Sequence, residues 1–285
     1  MIKAKIENYL YSNNLLAIQQ RGFVKSKSCT TNLLEKLDFI SYYLDKCIPV
    51  DGIMLDFAKA FDTVPHRRLL AKLKAYGVNG LVYKWIEAFL KNRKQRIVQG
   101  KVVSSWADIF SGVPQGSVLG PLLFVIYIND LPKRITSLTK LYADDTKILS
   151  VINSEECRGK VQADQDNAFK WTQKWLLKFN IDKCLVMHYG FKNKKYTLYI
   201  NGKQLVESNL ERDLGIMFST SLKWKNQVIT ATNIANQMLG RIKKSFALFD
   251  CKLMRLLYLT FIRPYLEFAV PVWCPFLKSD IDMIE

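Results

Sequence analysis

Between residues 28 and 46 the apolar positions fall three and four apart, with Leu33, Leu34, Leu37, Ile40, Tyr43 and Leu44 on one face. That spacing predicts an amphipathic helix with Ser28 or Thr30 as its cap. Before it, "IKAKIENYLYSNNLL" reads as the end of another helix followed by a polar turn at Ser12 to Asn14. The period then changes: a short continuous apolar run at residues 53–55 fits a strand and stops at Asp56. Asp62 or Thr63 is expected to cap the next helix, which carries Pro65 in its first turn and runs to Gly77. Another helix covers "GLVYKWIEAFLKNR", and "RIVQGKVVSSWADIF" predicts a hairpin turning at Gly100 and Lys101.

"SGVPQGSVLGPLLFVIYINDLP" begins as a glycine-rich loop and becomes an apolar helix that stops before Pro132. "KLYADDTKILS" then predicts strand, turn and strand, and residues 154–180 an amphipathic helix. "KCLVMHYG", "KYTLYINGKQL" and "ERDLGIMFS" supply further strands, and the last third is expected to be helical, in "NQVITATNIANQMLGRIKKSFALF" and "KLMRLLYLTFIRPYLEFAVPVW". Strands interleaved with helices in mixed order, without an internal repeat, indicate an α+β fold.

Charge alters this picture. A formal net charge of +17 and 49% hydrophobic residues describe a folded chain whose basic surface favours a polyanion. No apolar run approaches the length of a membrane span and no signal peptide is evident, so a soluble, intracellular protein is expected. The six cysteines, Cys29, Cys47, Cys157, Cys184, Cys251 and Cys274, are scattered, and the histidines are His66 and His188. That usage predicts reduced thiols rather than a zinc site or a disulfide framework.

Asp144 and Asp145 lie among Leu141, Ala143, Ile148 and Leu149, where two adjacent carboxylates repel each other and resist burial. With Asp56 at the end of a neighbouring strand, three carboxylates would converge on one point. Hard oxygen ligands around an open cavity suit Mg²⁺, and two such ions about 3.5–4 Å apart clamp an in-line phosphoryl displacement. The alternative is a polar Asp-Asp turn with Asp56 capping a helix. Three features tip the choice toward a metal site: the glycine-rich loop, Gln115 between Pro114 and Gly116 within reach of a nucleotide, and Phe61 five residues after Asp56. A ring at Phe61 would crowd out a 2′-hydroxyl.

"LDFAKAFDTVPH", "SGVPQGSVLGPLLFVIYINDLP" and "LYADD", in that order, resemble motifs A, B and C of reverse transcriptases, especially those of non-LTR, LINE-like retrotransposons. "QRGFVKSKSCTTNLLE" is similar to the fingers motif before A, "KFNIDKCLVMHYG" to motif D, "ERDLGIMFSTSLKW" to motif E and "RPYLEFAVPVW" to the start of the thumb. The resemblance implies a right-hand polymerase palm, an antiparallel sheet packed on helices, with partial fingers over residues 1–50. The palm would cover 51–218, with a fingers insertion at about 67–108, and a partial helical thumb 219–285. It further implies that Asp56, Asp144 and Asp145 hold two Mg²⁺, with Mn²⁺ as a substitute, and that the Phe57 carbonyl joins them. Phe61 would be the steric gate against ribonucleotides. Gln115 and Gly116 would contact the incoming nucleotide, with Lys183 near the pyrophosphate leaving group and Lys25 and Lys27 facing the triphosphate or the template from the fingers.

The implied activity is RNA-directed DNA synthesis on a primer 3′-hydroxyl. The implied partners are an RNA template, a DNA primer and deoxynucleoside triphosphates, in the nucleus and away from any membrane. Many relatives carry arginine where this chain has Val24. The resemblance leads us to expect a fragment of a longer element protein that lacks an endonuclease and the rest of the fingers and thumb. A catalytically impaired nucleic-acid-binding remnant is the alternative, and a two-metal nuclease is the third reading.

Overall fold

A computed structural model describes residues 2–246, 248 and 250–285. They divide into two compact units. The first comprises residues 2–28, 51–186 and 194–206; the second comprises 29–50, 187–193 and the described part of 207–285.

In the first unit, α1 (Ile2–Ser12) buries Ile6 and Leu10, four residues apart on one face. After α2 (Cys29–Asp45), which belongs to the second unit, β1 (Val50–Leu55) is almost wholly buried. It extends the expected run at 53–55 by three residues toward the N-terminus. α3 (His66–Ala75) packs Leu69, Leu70 and Leu73 inward. Its N-cap is Pro65 and not Asp62 or Thr63, which corrects the expected boundary. Proline in an extended conformation starts the helix one residue later, and Thr63 instead donates its hydroxyl back to the Lys59 carbonyl.

α4 (Gly80–Leu90) leads into nested antiparallel ribbons, β2 (Arg93–Gln95) with β5 (Ala107–Ile109) and β3 (Val98–Gln99) with β4 (Val102–Val103). The inner ribbon turns at Gly100 and Lys101 as expected, with Gly100 at φ +60°. α5 (Gly120–Ile128) is buried on all sides from Leu122 to Ile128, as an apolar helix without a polar face requires.

β6 (Leu138–Tyr142) and β7 (Asp145–Val151) form the expected hairpin, and α6 (Glu155–Trp175) follows. β9 (Tyr199–Ile200) and β10 (Lys203–Gln204) also belong to this unit, while β8 (Leu185–Tyr189) and β11 (Val206–Glu207) each straddle a boundary between the two sets of residues. The five-stranded sheet runs β11-β8-β1-β7-β6, so β1 and β7 are neighbours.

Buried polar side chains tie loops to this core. Asn129 accepts from the Ala17 N–H at 2.7 Å and donates to the Leu15 carbonyl and the Tyr76 hydroxyl, each at 2.7 Å. Asp164 accepts from the N–H groups of Thr136 and Ser137 at 2.7 and 2.9 Å and so fixes the approach to β6.

The second unit gathers α2, the hairpin of β12 (Leu210–Asp213) and β13 (Ile216–Ser219), and α7 (Lys225–Ser245) around Leu33, Phe218, Trp224, Val228 and Trp273. Lys36 and Asp213, both about 1% exposed, pair at 2.7 Å. The Lys36 ammonium also lies 3.9 Å from the centroid of the Phe218 ring. The chain stays helical through α8 (Cys251–Leu257), a π turn at Tyr258–Ile262 and α9 (Arg263–Glu267), and α10 (Val270–Trp273) and α11 (Lys278–Ile284) follow. The helix expected over residues 252–273 is interrupted at 268–269, where Ala269 takes φ +53°, and Pro271 lacks the N–H that a continuous helix needs. Ala247 and Phe249 of the expected "NQVITATNIANQMLGRIKKSFALF" helix lie outside the described residues.

Candidate active site

Tyr142 pairs with Asp145 across the β6–β7 hairpin, which leaves only Ala143 and Asp144 in the loop. Ala143 has φ +55°, in the left-handed region that favours glycine. An alanine there costs about 1 kcal/mol, so the surroundings must hold the turn.

They do so through Gln20, a residue not singled out from the sequence. Its side chain is 2% exposed. The amide oxygen accepts from the N–H of Ala143 at 2.9 Å and of Gly22 at 2.8 Å, and the amide nitrogen donates to the Ala143 carbonyl at 3.3 Å.

Asp56 follows directly on β1, the neighbour of β7. Burial, and then the negative charge of Asp56, raise the Asp144 carboxyl above its ordinary range against an opposing bond from its own backbone. Asp144 is half-buried, and the Asp56 charge reaches it. Asp145, the next residue along, is exposed. Among the described residues no group of three or more His, Cys, Asp or Glu side chains is close enough to hold a metal. Asp56 closes β1, and Asp144 and Asp145 stand at the turn into its neighbour β7. Two hard carboxylates with open space for phosphate oxygens still fit Mg²⁺, which is usually held by one or two carboxylates plus substrate.

The segment after Asp56 is held by residues 178–180. The Asp56 carbonyl accepts from the Asn180 N–H and the Ala58 N–H donates to the Lys178 carbonyl, both at 2.8 Å, so Phe57 bridges Phe179. In this antiparallel pattern the carbonyl of Phe57 itself points to the opposite edge. The Asp56 N–H also donates to the buried Cys184 sulfur at 3.4 Å. Burial, with the Asp56 charge adding to it, pushes the Cys184 thiol up to about 11, so no thiolate joins the two carboxylates at neutral pH. Cys184 is a second residue that the sequence reading left as an ordinary buried thiol.

Phe61 is half-buried and stacks on Phe124, with ring centroids 4.4 Å apart, while Phe23 meets it edge-on at 6.4 Å. Its carbonyl accepts from the Val113 N–H at 2.8 Å, which anchors the glycine-rich loop beside it. Gly112, at φ +90°, lies so close that a Cβ would sit 2.7 Å from the Asp62 carbonyl oxygen. Gln115 and Gly116 are exposed, Gly116 at φ +79°, and Gln115 shares with Lys59, Arg93 and Gln95 the lining of a groove of about 600 Å³.

Lys183 is exposed on the short 3₁₀ turn Ile181–Lys183, one residue before Cys184. Lys25 and Lys27 are exposed as well. The Lys25 N–H donates to the Tyr11 hydroxyl at 2.7 Å, and Lys27 lines a cavity of about 260 Å³ with Tyr11, Arg21 and Val24.

The family described as reverse transcriptase (RNA-dependent DNA polymerase) matches residues 1–240. The RNA-directed DNA polymerase from mobile element jockey of Drosophila funebris is 28% identical over 235 residues, covering 79% of this chain and 25% of that protein. A probable RNA-directed DNA polymerase from transposon X-element of Drosophila melanogaster is 23% identical over 301 residues, covering all of this chain and 32% of that protein. The chain therefore spans about a quarter to a third of these curated relatives.

Among solved structures, apo telomerase from Candida tropicalis aligns with 99% of this chain and 48% of its own, with a TM-score of 0.58 at 11% identity. Telomerase from Candida albicans in complex with a telomeric RNA fragment aligns with a TM-score of 0.54 at 9% identity, covering 99% of this chain and 55% of its own. These likenesses confirm the expected α+β polymerase palm fold. By the family match over most of its length, this chain belongs to the reverse transcriptases, and its curated relatives are the polymerases of non-LTR retrotransposons.

Proposed function

We propose that the chain performs RNA-templated DNA synthesis, joining a primer 3′-hydroxyl to the α-phosphate of a deoxynucleoside triphosphate with loss of pyrophosphate. The observation that carries this reading is the placement of Asp56 at the end of β1 and of Asp144 at the turn into its neighbour β7, in a chain that also carries a glycine-rich loop and a stacked phenylalanine. Asp56 and Asp144, with Asp145 and the Phe57 carbonyl, would hold Mg²⁺. When bound, the metal lowers the pKa of the primer hydroxyl and offsets charge on the leaving phosphates.

The protein's own part is positioning. Phe61 presents a fixed ring edge to the sugar, and Gln115 and Gly116 offer amide groups from an exposed loop to the nucleotide. Lys183 adds a positive charge next to the Asp56 segment, and Lys25 and Lys27 offer theirs to triphosphate or template. Family membership and the RNA-bound telomerase neighbour support an RNA template. Membership likewise supports work in the nucleus, on template and primer, together with the rest of the element protein.

The test is primer extension on an RNA template. Labelled deoxynucleotide is expected to be incorporated with Mg²⁺ or Mn²⁺ and lost with a chelator. Extension that persists in chelator would contradict the metal-dependent reading.

A further inference from the structure

The turn that carries Asp144 has an alanine where its backbone favours glycine. The compensation comes from residues 19–22. Their backbone runs beside β6, with the Arg21 N–H donating to the Leu141 carbonyl at 2.9 Å and the Leu141 N–H donating to the Gln19 carbonyl at 3.0 Å. Gln20 and Leu141 form a parallel bridge. From that position the Gln20 amide reaches past the end of β6 and holds both backbone groups of Ala143 while binding the Gly22 N–H. Gly22 is pressed against the same turn: a Cβ there would lie 2.2 Å from the Ala143 nitrogen.

We propose that Gln20 is a positioning residue for the polymerase site, fixing the Ala143–Asp144 turn so that the Asp144 carboxylate is aimed at the position opposite Asp56. The proposal rests on the assignment of Asp56 and Asp144 as metal-holding residues. Gln20 touches no reacting atom. It acts on the turn from the side of Ala143, while the Tyr142–Asp145 pair closes it from the other. Both peptide groups flanking Ala143 are thereby tied down, and the direction of the Asp144 side chain follows from them. The side chain needs an acceptor for two N–H groups and a donor for one carbonyl at the same reach, which is the inventory of a glutamine amide. Glutamate lacks the donor, and methionine keeps the length and shape but lacks all three bonds.

Gln20→Met tests this, because a space-filling role predicts no change for a side chain of matched length. We expect single-nucleotide incorporation to slow by about 10- to 100-fold, the cost of misplacing a reacting geometry by roughly an ångström, with template–primer affinity changed less than about twofold. A lower melting temperature with an unaltered rate in the folded fraction would overturn the proposal.

A second measurement needs neither activity nor a variant. Hydrogen exchange in the unaltered chain should find the amides of Gly22 and Ala143 protected, although neither lies in a strand ladder, and Gln20→Met should release both while Leu141 stays protected. Exchange at exposed-loop rates in the unaltered chain would overturn the proposal even if Gln20→Met failed to fold. Asp144→Ala in the same incorporation assay separates the two levels of argument. Full activity there defeats the polymerase-site assignment itself, whereas its loss alongside full activity in Gln20→Met defeats only the clamp.

Discussion

Phe61 illustrates how one side chain acquires a defined direction. Its ring lies 4.4 Å from Phe124 at 20°, and Phe124 is itself wholly buried in α5, so the ring cannot swing aside for a bulkier sugar. Phe61→Ala should lower the preference for deoxy- over ribonucleotides by at least about tenfold, read as a ratio of kcat/KM values. An unchanged ratio would remove the gate. The sequence singles out Phe61 and the aspartates as candidates because carboxylates amid apolar residues are conspicuous and the ring stands five residues after Asp56. Gln20 and Cys184 were not legible. A glutamine in a polar stretch and a cysteine before a strand have no local pattern, and each gains its role only when a distant backbone group arrives beside it.

At the level of elements, periodicity carried most of the prediction. The apolar helix α5, the β6–β7 hairpin and the Gly100–Lys101 turn follow from local patterns and occur as expected, and α2 forms where its stripe placed it but buries Asn32 and Lys36 beside Leu33 and Ile40. The misses have local physical causes, since Pro65 displaced the α3 cap and the left-handed Ala269 interrupted the last helix. No periodicity announces the Lys36–Asp213 pair, because a lysine on the buried face of α2 breaks the very pattern that defines the helix. Removing one partner leaves the other as an uncompensated buried charge. Lys36→Met should therefore lose about 3–5 kcal/mol of stability in chemical denaturation, and adding Asp213→Leu should recover most of it. A single variant as stable as the original chain would show that the pair contributes nothing.

Across the whole molecule, 42 basic residues against 25 acidic ones give a field that draws in a polyanion irrespective of its sequence. The affinity for a template–primer duplex should consequently fall by about a hundredfold or more between about 50 and about 200 mM salt, measured by fluorescence anisotropy, and a flat dependence would separate the charge from binding. In the proposed function that basic surface would position the substrate, while the chemistry is assigned to two carboxylates at the ends of neighbouring strands. The most direct measurement is the rate of single-nucleotide incorporation by Asp56→Asn and Asp144→Asn, made at saturating template–primer. Each variant should lose at least about a hundredfold in rate while binding the nucleic acid as tightly as the unaltered chain. Incorporation at the unaltered rate in either one would contradict the account.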